Sequence, residues 1–204
     1  MTAKIFDDIL LKGIRSGNVP ARTKQARDWY RSQASKVARS SIQETKLIRQ
    51  MGEDRYESRF RIGNMYTFLY DPKHKETLPY YDRFPLIFPI NKAKGGFLGM
   101  NFHYLPLPLR ANLMDALYEV AGNQQYDETT KMQVSYSILN GAAKYREFKP
   151  TVKHYLMSQI RTKLVYIHPT EWDIALFLPS EQFEKSSKGR VWADSRKTIR
   201  GGAG

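Results

Sequence analysis

The sequence predicts an α+β fold: a small, curled antiparallel β-sheet or barrel flanked by N-terminal and C-terminal helices, with a basic C-terminal tail. Three observations predict it. The apolar period changes at Ile62, from three- and four-residue steps to runs of β-forming residues, and reverts near residue 109. Prolines at 79, 85 and 89 punctuate the middle, favouring short or edge strands over a long central one. Positive charge collects at the two ends of the chain and leaves the middle nearly neutral.

The elements follow in order. Ile5, Phe6, Ile9, Leu10 and Ile14 recur at helical spacing over residues 3–16, and Gly13 and Gly17-Asn18 stop that stretch. A second helix over about 22–40 carries an apolar stripe of Ala26, Trp29, Tyr30, Ala34, Val37 and Ala38. Residues 40–61 read as a weaker helix followed by a linker. Met65 to Tyr70 is a strand rich in aromatic residues. Asp71-Pro72-Lys73-His74-Lys75 is a turn, because Asp and Pro favour type I geometry. Residues 78–85 and 86–90 are short extended segments. Lys92 to Gly96 is a hairpin loop, and Phe97 to Leu105 the return strand. Leu109, Leu113, Leu117 and Val120 define a helix over 109–121, ended by Gly122-Asn123. Asp127 or Thr129 caps a further helix to about 144. Val152, Tyr155, Leu156, Ile160 and Leu164 share a helical phase over 149–164. Leu164 to Ile167 begins a strand, and Trp172 to Leu178, between Pro169 and Pro179, is a strand candidate. From Lys185 the chain is polar and basic, and a mobile tail is expected.

The 204 residues carry a net charge of +13 and suffice for a hydrophobic core. Residues 1–61 hold 14 Lys+Arg against 7 Asp+Glu, residues 62–182 hold 13 against 11, and residues 183–204 hold 6 against 2. The chain therefore divides into a basic helical N-terminal arm (1–61), an α+β core (62–182) and a basic flexible tail (183–204). Such charge is an argument about partners: nucleic acid, an acidic protein surface or an anionic membrane. No window approaches the roughly 18 apolar residues of a membrane span, and Met1 to Asp8 has no apolar run of signal-peptide type. Absence of cysteine excludes disulfides, cysteine-based zinc sites and a thiol nucleophile, and suits a reducing cytosol.

Signals for catalysis are weak. Gly95-Gly96-Phe97-Leu98-Gly99 lacks the spacing of a phosphate-binding loop, no nucleophile elbow surrounds a serine, and His74, His103, His154 and His168 are dispersed without metal-ligand spacing. A metal-dependent nuclease would need clustered carboxylates. Asp71-Pro72-Lys73 lies in a turn without a second acid, and Glu171 and Asp173 on a strand lack a third ligand. No catalytic residue, metal or cofactor is expected, and no small-molecule substrate.

Signals for a polyanion are stronger. Arg22, Lys24, Arg27, Arg31, Lys36 and Arg39 crowd one helical stretch, and the step of three then four puts Lys24, Arg27 and Arg31 on one face. Lys73, Lys75, Lys92 and Lys94 occupy two loops and would clamp a backbone if both loops leave the same end of the sheet. In the tail, Arg190, Arg196 and Lys197 surround Trp192, which either stacks on an unpaired base or anchors the tail to the body. The aromatic set from Tyr66 to Tyr104 is either a stacking platform or, as is commoner, a core. Lys and Arg neutralise phosphates without reading sequence, and basic arms equally suit acidic partner subunits.

The segments Met65 to Lys73, Leu78 to Leu86 and Gly96 to Pro106, together with Ile5 to Leu10, Arg22 to Tyr30, Trp172 to Pro179 and Val191 to Ser195, resemble a virion protein family of T-even-like contractile-tailed phages, the DNA end protector or head-completion proteins. That resemblance spans nearly the whole chain. It implies a non-enzymatic virion protein, made in the host cytoplasm. Such a protein binds the ends of packaged linear double-stranded DNA, shields them from exonuclease and assists head completion beside other virion proteins, with no membrane involved. The alternative is a structural subunit of the neck or baseplate whose basic arms bind acidic neighbours.

Overall fold

The computed structural model describes residues 4–20, 23–121, 128–144 and 148–200. Among them the chain runs α1 (Ile5–Arg15), α2 (Lys24–Ser35), α3 (Glu44–Met51), β1 (Tyr56–Glu57), β2 (Met65–Thr67), β3 (Tyr81–Asp82), β4 (Leu86–Ala93) and β5 (Gly96–Asn101). It continues α4 (Leu107–Ala121), α5 (Glu128–Lys144), β6 (Val152–Leu156), β7 (Leu164–Ile167), α6 (Trp172–Phe177), β8 (Phe183–Glu184) and α7 (Lys188–Arg200). The α+β expectation holds. The Gly122-Asn123 stop and Asp127 lie outside the described residues.

Six strands form one antiparallel sheet in the order β1-β7-β2-β4-β5-β6, and β3 pairs with β8 in a second, two-stranded sheet. The larger sheet is open, with β1 and β6 at its edges, not a closed barrel. Its alternation sorts side chains onto two faces. Met65, Leu86, Phe88, Ile90 and Met100 face the helices and join Phe6, Tyr30, Leu113, Leu117, Trp172 and Leu176 in the main core. Tyr66, Phe68, Ile87, Phe97 and Tyr155 face the other way into an aromatic cluster with Tyr70 and Leu164. A Tyr70–Ile160 bridge brings the chain leaving β6 across that cluster and curls the sheet. Phe68 meets Tyr155 and Tyr70 edge-on, with centroids 5.6 and 6.1 Å apart. The commoner reading of the aromatic run is therefore correct for most of it: these rings are core.

Two glycines are demanded by geometry. A Cβ on Gly13 would fall 2.1 Å from the Tyr30 hydroxyl, so α1 can approach α2 only without one. Gly95 turns the β4–β5 hairpin with φ +73°. On α2, the Thr23 side chain accepts a hydrogen bond from the Ala26 amide at 3.1 Å and caps the helix.

Four expectations are corrected. Residues 149–164 are not a helix: after a short 3-10 turn they form strand β6. Their apolar residues fit a helical phase by coincidence, while Lys153 and Tyr155 share a face of the strand. Trp172 to Phe177 is helical, not extended. Trp172, Asp173, Ile174, Ala175 and Leu176 are all buried, so no polar face remained to reveal the period. β4 is an interior strand of eight residues despite Pro89, which sits at a register shift where no ladder N–H is needed. The expected tail is the helix α7 from Lys188, docked by Val191 and Ser195, both buried.

Candidate nucleic-acid interface

The basic residues of the N-terminal arm meet different fates. Arg22 lies outside the described residues. Lys24 is exposed and pairs with exposed Asp28 at 2.8 Å. Arg27 and Arg31 do share a face, but it points inward. The Arg27 guanidinium donates to Asp115 on α4 at 3.1 Å and lies over the Tyr118 ring. Arg31 is buried; its guanidinium donates to Asp173 on α6 at 2.7 Å and to Asp115 at 2.6 Å. Burial pulls the Asp115 carboxyl upward, but Arg31 and Arg27 outweigh it and hold it below the ordinary carboxylate range. Burial dominates at Asp173 and lifts its carboxyl above that range. Arg39 pairs with Glu44 at 3.0 Å. Lys36 is exposed and has no carboxylate partner among the described residues.

The two lysine-bearing loops leave opposite ends of β4, so the condition for a shared clamp is not met, but both reach β6. The β4–β5 hairpin places the Lys94 carbonyl 3.1 Å from the His154 imidazole on β6, and the Gly95 carbonyl accepts from the Met157 amide at 3.0 Å. The turn after β2 reaches the same strand, because the Tyr70 hydroxyl accepts from the Leu156 amide at 3.2 Å. Lys75 pairs with Asp71 at 2.9 Å, and Arg161 with the other Asp71 oxygen at 3.0 Å. Lys73, Lys92 and Lys94 stay exposed, without carboxylate partners among the described residues.

Beside β6 and the turn that holds Pro72 runs a groove of about 290 Å³, lined by Tyr80, Tyr81, Tyr104, Lys153, His154 and Tyr155 among others. Lys153 projects over the Tyr104 ring, its Nζ 4.2 Å from the centroid. Burial pulls its pKa below the usual lysine value. Lys185 Nζ donates to the carbonyls of Lys75 and Glu76 at 2.6 and 3.0 Å and ties that turn down. Burial raises the Tyr80 phenol, with Asp194 adding to the effect and Arg190 opposing it. Arg190, Arg196 and Lys197 are exposed.

Trp192 is an anchor. Its indole N–H donates to the His103 carbonyl at 2.8 Å, and the Arg110 guanidinium and Lys188 ammonium lie over its ring. Arg110 is fully buried and donates to the carbonyls of Leu105 and Leu176 at 2.8 and 2.7 Å; burial lowers its pKa to about 10. Behind it, Asp82 Oδ2 is 2.7 Å from His103 Nδ1, and His103 Nε2 is 3.3 Å from Ser180 Oγ. This has the order of a nucleophilic triad. However, His103 is 0 % exposed and Ser180 5 %, so no substrate carbonyl reaches the hydroxyl in this arrangement. The Asp82 carboxylate also accepts from Asn101 and from the Phe84 and Gln182 amides, which marks it as a structural hub.

The carboxylates weighed for a metal site are committed elsewhere: Asp71 to Lys75 and Arg161, Glu171 to Arg55, and Asp173 to Arg31. Among the described residues no cluster of three or more His, Asp or Glu could hold a metal ion, and no helix is long and apolar enough to cross a membrane. Sequence reading missed Lys153, took His154 only as one of four dispersed histidines and Lys185 as part of the basic tail, and did not separate Tyr80 and Tyr81 from the core aromatics. The alternation of Lys153 and Tyr155 around exposed His154 was the available signal, masked by the helical reading of that stretch.

Residues 22–199 match the model of a protein family described as phage T4 terminal DNA protecting protein. No curated protein and no solved structure matches the chain.

Proposed function

The chain belongs to the phage T4 terminal DNA protecting protein family, and from that premise we propose that it binds and protects the ends of packaged linear double-stranded DNA in the virion and assists head completion beside other virion proteins. The family match over residues 22–199 carries this reading. The distribution of free cations supports it. Lys36, Lys73, Lys92, Lys94, Arg190, Arg196 and Lys197 are exposed without carboxylate partners among the described residues, as phosphate neutralisation requires. Lys24, Arg39 and Lys75 contribute more weakly because each has a surface partner, one that phosphate can displace at small cost. Arg27 and Arg31 hold α2 on the body and are left out of the proposed contact surface, and Trp192 orients α7 within it.

The test is a mobility-shift titration of linear and covalently closed duplex over a salt series. The proposal predicts tighter binding to linear duplex, with affinity falling linearly in log salt. Weak, salt-independent binding would favour the alternative, a neck or baseplate subunit whose cations meet acidic neighbouring proteins.

A further inference from the structure

The groove beside β6 holds a partly buried lysine amine. Lys153 Nζ has the Tyr104 ring as its neighbour at 4.2 Å and no carboxylate within ion-pair distance among the described residues. Asp82 lines the same groove but gives its oxygens to His103, Asn101 and two backbone amides. A partly buried cation without a counter-ion is costly unless an anion completes it. The walls are aromatic: Tyr80 and Tyr81 are half-exposed, and Tyr80 stands 6.1 Å from Tyr104, centroid to centroid. At about 290 Å³ the space is at the lower limit of ligand sites, which start near roughly 300 Å³. It admits one nucleotide and no duplex. Pro72, next to exposed Lys73, is among its lining residues, and His154, another, has its imidazole 3.1 Å from the Lys94 carbonyl.

We propose that this groove takes the terminal nucleotide of a DNA strand, with a terminal phosphomonoester on the Lys153 ammonium and the nucleoside against Tyr80. The inference rests on the DNA-end reading and adds to it what is recognised: the phosphorylated end itself, not the duplex behind it. A phosphomonoester carries more charge than the diesters of the backbone, so a single partly desolvated ammonium discriminates between them. The ring faces contribute stacking that every base can supply, so no terminal sequence is selected.

The experiment compares affinity for short duplexes ending in one unpaired nucleotide that carries a 5′-phosphate, a 3′-phosphate or neither. Wild-type protein is expected to prefer one phosphorylated end about tenfold, the worth of one charge-assisted hydrogen bond; which end wins tells the two sources apart. Lys153→Met removes that preference, so that the three ends bind with equal affinity. Lys153→Arg retains most of the preference. Tyr80→Ala, checked for an unchanged thermal transition, reduces it. Binding of linear duplex with equal affinity for all three ends overturns this inference while leaving the proposed function standing. So does a preference that survives Lys153→Met or is untouched by Tyr80→Ala. Failure to bind any linear duplex overturns the proposed function itself.

Discussion

Arg31→Ala separates a residue that holds the fold together from one that touches a ligand. The side chain is 6 % exposed and bridges two carboxylates, Asp173 with 3 % side-chain exposure and Asp115 with 26 %. Removing the guanidinium strands the Asp173 charge in the core between α2 and α6. Breaking such a buried pair from one side costs about 3–5 kcal/mol. For a chain of this length each kcal/mol moves Tm by roughly 2–4 °C, so a fall of about 6–20 °C is expected. The control is Lys24→Ala, which breaks a pair whose members are 72 % and 50 % exposed and costs under about 1 kcal/mol. Adding Asp173→Asn to Arg31→Ala should recover part of the loss, because it removes the stranded charge. Urea denaturation and a mobility-shift salt series on the same preparations read both effects. A loss below about 1 kcal/mol, with the salt slope reduced by roughly 0.9, would refute the reasoning and make Arg31 a phosphate contact.

Three further outcomes are expected. Burial pushes the Asp82 carboxyl up, but His103 and its hydrogen bonds outweigh this and leave it below the ordinary range; its stabilisation is therefore present above the unfolded value of about 3.9 and is lost as pH falls through the folded value. The urea-midpoint gap between wild type and Asp82→Asn should thus narrow on acidification, and a constant gap would contradict the assignment. Gly13→Ala forces a methyl into the Tyr30 ring and should cost about 1–3 kcal/mol by thermal unfolding, whereas Gly141→Ala, with open space at its Cβ, should not destabilise. Replacing Lys73, Lys92 and Lys94 by Gln should lower the log–log salt slope by roughly 0.9 for each lysine in contact, with Tm unchanged.

Much of this was legible in the sequence where burial was one-sided. The stripe Leu113, Leu117 and Val120 marked α4, because exposed Asn112 and Glu119 reveal its period; Phe97 to Asn101 marked the return strand through the Gly95-Gly96 turn before it, although both of its faces are buried. Where burial was complete the period vanished, so Trp172 to Phe177 passed for a strand. The basic face of α2 was read correctly in its spacing but not in its direction. Spacing says that Arg27 and Arg31 lie together; only Asp115 and Asp173, far along the chain, say that they face inward. The condition set for the lysine loops, exit from one end of the sheet, is not met: β2 ends beside Leu86 at the start of β4, and the hairpin lies at the end of β4. Both loops instead reach β6, a strand hidden behind a helical coincidence at 152–164. Lys153 was illegible for the same reason: its role depends on Tyr104 and Tyr80, brought beside it by tertiary pairing alone.

We propose that this chain binds the ends of linear DNA through its exposed cations. The most direct measurement is protection of end-labelled linear duplex from a processive exonuclease, with unlabelled linear and covalently closed duplex of equal length as competitors. The account predicts protection that linear competitor abolishes and closed duplex leaves largely intact, and that weakens as salt rises. Equal competition by closed duplex, or no protection at low salt, would contradict it.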